Sequence, residues 1–174
     1  MPRMRSLLLL CLVASASFGK VVTKKVPYEL DKTKFEGVLI FDDAKSNQPG
    51  LVLVPNWLGI NDANLKQATE IAGRGYVVFV ADAYGVTGRP KNQDEAGKVA
   101  GSVKGDRGLF RKRMNKALEV LLAQKVPSMD ARKLGAIGFC FGGTGALELA
   151  RSGAKVAGVV SFHGGLGNID ISQS

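Results

Sequence analysis

The residues best suited to covalent chemistry lie in one stretch, Gly138-Phe139-Cys140-Phe141-Gly142-Gly143. An apolar run, Leu134 to Ile137, precedes it, and a helical run, Thr144 to Arg151, follows it. A strand that turns straight into a helix through Gly-x-Cys-x-Gly holds its central residue in a strained elbow, with the side chain lifted clear of the sheet. Glycine is required two residues to either side, because a side chain there would collide with the neighbouring strand or helix. The helix starting after Cys140 points free amides and its positive dipole end at the turn, which favours a thiolate and a developing oxyanion. That is the equipment for nucleophilic acyl transfer. A glycine-rich turn around an inert buried cysteine is the alternative that the motif alone leaves open. The stretch has neither the Gly-x-Gly-x-x-Gly of a dinucleotide site nor the Gly-Lys-Ser/Thr ending of a P-loop.

A second element fits the same chemistry. The buried run Leu51-Val52-Leu53-Val54 opens into Pro55-Asn56-Trp57-Leu58-Gly59-Ile60-Asn61-Asp62, a strand-to-loop junction able to supply the other oxyanion amide. The Trp57 N–H is the candidate, although its indole could equally serve as a cap on the core. The counts exclude other chemistry. With one histidine, His163, and two cysteines, Cys11 and Cys140, the chain has too few ligands for a His-rich or four-cysteine metal site.

These residues need a scaffold, and the pattern names it. Lys24 to Lys32 and Lys34 to Phe41 read as extended runs, while Leu51 to Val54, Tyr76 to Ala81, Leu134 to Ile137 and Val156 to Phe162 read as buried strands. Residues Asp62 to Arg74 read as a helix with Asp62 as N-cap and Gly75 just past its end. Asp106 to Gln124 is a longer helix with Phe110, Met114, Ala117 and Leu121 on its apolar face. Strands alternating with helices predict an α/β domain with a mostly parallel sheet and helices on both faces. The 174 residues suit one domain, and a composition of 45% hydrophobic and 22% charged residues is that of a globular chain.

The formal charge is +9. Its densest part, Lys104, Arg107, Arg111, Lys112, Arg113 and Lys116, reads as a solvated helix face. It lacks the interleaved aromatics or groove-reading motif of a nucleic-acid site, so no nucleic-acid partner is expected. At the other end, basic Met1 to Arg5, apolar Leu7 to Ala14 and the small residues Ala14-Ser15-Ala16 form the three-part pattern of a secretory signal over residues 1–19. The apolar run is shorter than the roughly 20 residues needed to span a bilayer. The reading is an exported protein, periplasmic or secreted, with no stable membrane insertion after cleavage and a mature domain over residues 20–174. Cys140 would then be its only cysteine and could form no internal disulfide.

Taken together, these residues resemble the dienelactone hydrolase family of α/β-hydrolases. The elbow at Cys140 is similar to that family's cysteine elbow. The likeness continues through Asn56 to Asn61, Arg74-Gly75-Tyr76, Asp82-Ala83-Tyr84-Gly85 and Ser161-Phe162-His163-Gly164-Gly165. It implies an α/β-hydrolase fold, Cys140 as nucleophile of a Cys-His-Asp triad, and the backbone amides of Phe141 and Trp57 as oxyanion hole. It also implies a substrate pocket built by Asn56, Tyr84, Arg89 and His163, and that no metal or organic cofactor is needed. Asp82 reads better as a turn-former than as a catalytic acid.

The sequence departs from the family in three places. Asn56 stands where a glutamate is common, and Val86 stands where a substrate-carboxylate arginine is expected, with Arg89 three residues on. The family's triad aspartate and histidine fall on strands later than Ser174, so the C-terminal strands are expected to be missing and the last strand to expose an apolar edge. The function expected is cysteine-dependent acyl transfer on small esters or lactones. The competing expectations are a catalytically inactive fragment or small-molecule binder on the same scaffold, and a redox-active thiol.

Overall fold

The computed structural model describes residues 20–167. The expected signal segment, residues 1–19, lies outside them. A hairpin opens the fold: β1, Val21–Leu30, pairs antiparallel with β2, Thr33–Asp42. Then come β3 (Gln48–Val54), α1 (Asp62–Gly73), β4 (Val77–Val80), α2 (Gln93–Gly105) and α3 (Arg107–Ala123). β5 (Met129–Phe139), α4 (Phe141–Arg151) and β6 (Gly158–Phe162) follow. The six strands form one sheet in the order β1-β2-β4-β3-β5-β6. β4, β3, β5 and β6 run parallel, while β2 is antiparallel to both of its neighbours, β1 and β4. This is the mixed, mostly parallel α/β sheet that the alternation of elements predicts.

The order places the site. From β3 the chain crosses through α1 to β4 on one side, and from β5 through α4 to β6 on the other. The loops leaving β3 and β5 therefore diverge, and such a switch point opens a crevice at the carboxyl ends of the strands. Helices pack on both faces, but β6 is left open as the sequence predicts, with Val160 and Phe162 about half exposed. Ala68 and Ala72 of α1 pack with Val38, Ile40, Leu53, Val78 and Val80 on one face. Phe110, Met114, Ala117 and Leu121 of α3, with Ala146 and Leu149 of α4, pack on the other. The four-residue apolar stripe of α3 is fully buried, as its spacing requires.

Three expectations need correction. Asn61, not Asp62, caps α1, its side chain accepting from the Asn64 amide at 3.0 Å, while Asp62 becomes the first helical residue. α2 is a helix for which the apolar pattern gives no warning. The basic cluster is not one solvated face. Arg113 turns inward, donating to the Ala83 carbonyl at 2.6 Å and lying over the Phe35 ring at 5.5 Å. Arg107 and Arg111 reach Glu148 of α4 at 3.0 and 2.7 Å, and Arg151 joins them at 2.7 Å.

Glu148 is only 2% exposed, so its charge is tolerable only because three guanidinium groups surround it. Burial pushes its pKa up, but hydrogen bonds from Arg151 and Arg111 and the charge of Arg107 outweigh this and hold it below the ordinary 4.5. A carboxyl with a depressed folded pKa contributes stability above about pH 4.5 and loses it as pH falls further. Glu148→Gln should cost about 3 kcal/mol near neutral pH, because three partly buried arginines lose their counter-charge. It should also flatten the loss of stability below pH 4.5. Urea denaturation of both proteins across pH 3–7 checks this.

Candidate active site

The turn after β5 is as strained as its sequence demands. Cys140 has φ 55° and ψ −117° and caps α4, in a region that non-glycine residues rarely occupy. Its amide donates to the Phe162 carbonyl at 2.9 Å, which ties the elbow to the end of β6. The flanking glycines are needed for close backbone approach. A Cβ on Gly138 would lie 1.9 Å from the Gly142 carbonyl oxygen, and one on Gly142 would lie 2.0 Å from that of Val54. Strand, turn and helix are thus packed backbone to backbone, and Cys140 projects from the place where they meet.

The loop after β3 is fixed by its asparagines. The Asn56 side chain accepts from the Leu58 amide at 3.0 Å and from the Asn64 side chain at 3.3 Å. Asn64 also donates to the Gly59 carbonyl at 2.7 Å. These bonds shape the backbone at Trp57. Among the described residues, neither the Trp57 nor the Phe141 amide has a hydrogen-bond acceptor.

Cys140, Trp57, Phe141 and His163 line one cavity of about 400 Å³ at the carboxyl edge of the sheet. Gly97, Ala100, Gly101 and Lys104 of α2 form its opposite wall at helical spacing, so the small side chains leave the volume open. A larger cavity of about 490 Å³ runs past Ile71 of α1 and the strand starts at Gly50, Leu134 and Gly158. Its lining holds no cysteine, serine or histidine.

The structure therefore brings four of the sequence-predicted residues together and sets three back from the cavity. His163 follows β6 with φ 42°, and Thr144 accepts from the Gly165 amide at 3.0 Å, which holds this loop beside the elbow helix. Asn56 acts within its own loop. Tyr84 is buried, with its ring against Phe141 at 5.2 Å. Burial raises its pKa, and the negative charges of Cys140 and Asp82 add to the rise, so its hydroxyl stays protonated. Arg89 is committed elsewhere: it binds Asp82 at 2.8 Å and the Glu36 carbonyl at 2.7 Å. Asp82 is the turn-former expected, accepting from the Tyr84 and Gly85 amides at 3.1 and 3.0 Å. The residues missed are those of α2. A signal was present, because Asn92 and Glu95 form a capping pair, Asn92 accepting from the Glu95 amide at 2.9 Å.

A cysteine on a strained strand-to-helix turn, two free amides beside it and a parallel sheet beneath define an α/β-hydrolase. The sequence profile of the dienelactone hydrolase family matches residues 35–174, and the chain belongs to that family. The structure is similar to the dienelactone hydrolase-like promiscuous phosphotriesterase P91 from metagenomic libraries, with TM-score 0.80 and 36% identity over 88% of this chain and 63% of that one. A dienelactone hydrolase from Anabaena variabilis shares the fold at TM-score 0.61 and 21% identity, over 83% of this chain and 64% of that one. The uncharacterized protein K02A2.1 of Caenorhabditis elegans is 42% identical over 64 residues, which are 36% of this chain and 39% of that protein. The chain thus spans less than two thirds of the length of these relatives.

The elbow makes a direct structural prediction. Gly138→Ala and Gly142→Ala each force a methyl group into backbone, which no rotamer change can relieve. Each should cost at least about 3 kcal/mol. Gly101→Ala, where an added Cβ meets nothing within 4 Å, should be neutral or stabilising. Thermal unfolding of the three variants checks the contrast.

Proposed function

We propose that the protein is a hydrolase of small esters or lactones that works by acyl transfer through Cys140. The observation that carries this reading is the elbow itself: a cysteine at φ 55°, at a helix N-terminus, in a cavity also lined by Trp57 and Phe141, whose amides have no acceptor among the described residues. The Cys140 thiolate attacks the substrate carbonyl, and the carbonyl π electrons move onto oxygen. The Phe141 and Trp57 amides hold that oxyanion while the carbon–oxygen ester bond breaks. The leaving alkoxide takes a proton from solvent. Water then attacks the thioester, the carbon–sulfur bond breaks, and water's proton goes to sulfur, releasing the acid and restoring the thiol. None of these steps calls for a metal or an organic cofactor.

Deacylation needs a base that orients and deprotonates water. Within these 174 residues His163 is the only imidazole, and it lines the cavity wall. The triad aspartate and histidine implied by family resemblance have no counterpart among the described residues. The 174-residue polypeptide should therefore release about one equivalent of nitrophenolate per chain from p-nitrophenyl acetate in a burst, followed by slow turnover. Cys140→Ala should abolish the burst. Rapid steady turnover by Cys140→Ala would defeat the reading. A redox role for the thiol has less support, since no second cysteine lies among the described residues to resolve a sulfenic acid.

We also propose that the protein is exported, on the strength of the leader pattern in residues 1–19. Mass spectrometry of protein from its native host should find a mature N-terminus near Ser17 or Lys20. An intact Met1 on soluble protein would contradict export.

A further inference from the structure

We infer that Tyr84 is the positioning residue of the oxyanion hole, a clamp that fixes the Trp57 and Phe141 amides relative to each other. This inference rests on the acyl-transfer reading of Cys140. The two amides follow different strands, β3 and β5, so no short stretch of chain sets their separation. Tyr84 comes from a third loop, after β4, and touches both residues. Its hydroxyl donates to the Trp57 carbonyl at 2.7 Å, a short and well-formed O–H···O bond. Its ring packs on that of Phe141, with centroids 5.2 Å apart. The same ring lies against Gly59, where an added Cβ would stand 3.2 Å from it, so it braces both ends of the Trp57 loop.

The clamp is itself anchored. Asp82 accepts from the Tyr84 and Gly85 amides through one carboxylate oxygen, while the other takes Arg89 at 2.8 Å and the Glu36 amide at 3.2 Å. Tyr28 donates to the Asp82 carbonyl at 3.1 Å, and Arg113 to that of Ala83. The Asp82 and Ala83 carbonyls and the Tyr84 and Gly85 amides are thus held by side chains from β1, α3 and the turn itself, and the β2 backbone holds the Asp82 carboxylate. Tyr84 is 4% exposed and absent from the cavity lining, so it acts through Trp57 and Phe141 rather than on substrate. Burial keeps its phenol protonated and hence a donor. Arg89, expected from sequence to face the substrate, anchors this clamp through Asp82 instead.

Two reactions of Cys140 separate positioning from mere structure. Acylation by p-nitrophenyl acetate develops an oxyanion, whereas alkylation by iodoacetamide displaces iodide and develops none. Tyr84→Phe keeps the ring and its packing and removes only the hydroxyl. It should slow the saturating single-turnover acylation rate about tenfold or more, against the 10²–10³ expected for losing a donor outright. The ester concentration at half-saturation and the alkylation rate should each change less than about twofold. Hydrogen–deuterium exchange at residues 56–60 should quicken in Tyr84→Phe. Equal acylation rates, a parallel fall in both reactions, or unchanged exchange would overturn the clamp. If the unsubstituted chain shows no Cys140-dependent acylation, the acyl-transfer reading itself falls, and the clamp's role in catalysis falls with it.

Discussion

The structure depends on one backbone constraint: β5 and α4 meet at Cys140 with no room for a Cβ on either side. Gly138 touches the first turn of α4, and Gly142 touches the carbonyls that end β3. The left-handed backbone of Cys140 is costly on its own, of order 1–3 kcal/mol. It persists because the Phe162 carbonyl accepts its amide and the helix above is packed into place. Buried Phe110 underlies that packing. It stacks on Phe141 at 4.9 Å and leaves space at Gly145 for hydrogen alone. The placement of Cys140 is therefore a consequence of how tightly three elements approach, rather than of any bond the thiol makes.

Around that point the charges divide into two groups with different work. Glu148 and its arginines join α3 to α4 and so hold the helix that begins with the Phe141 amide. Asp82 and Arg89 organise the loop after β4. The cavity keeps the charge of Lys104, with no carboxylate in its lining. Segregating the carboxylates into paired, buried positions leaves the region beside Cys140 with a field that favours negative charge, as an attacking thiolate and an oxyanion require.

How much of this was legible in the sequence depended on how local each signal was. The elbow, the four-residue stripe of α3 and the run Leu51 to Val54 are set by neighbours within a few residues, and all appear where the pattern places them. α2 was not legible from hydropathy, because Gly97, Gly101 and Gly105 dilute an apolar face made of Ala96, Ala100 and Val103. Those small residues are what opens the cavity, so the feature that hides the helix is the one that suits the site. Arg89 and Arg113 were placed by their charge, which says nothing of the carbonyls of Glu36 and Ala83 that claim them. Both acceptors are distant in sequence, and no periodicity reports them. Asn56 and Tyr84 were picked out for the right region, but their contacts with Asn64 and Trp57 exist only once α1 and the β4 loop are in place.

The central claim is that the constrained turn presents Cys140 as the group that takes the acyl chain. Peptide mapping by mass spectrometry, after brief exposure to p-nitrophenyl acetate and an acid quench, tests it most directly. The account predicts one acetyl group, on the peptide containing Cys140, removed by neutral hydroxylamine as a thioester is. Acetyl groups confined to lysines and resistant to hydroxylamine, with Cys140 unmodified, would contradict it.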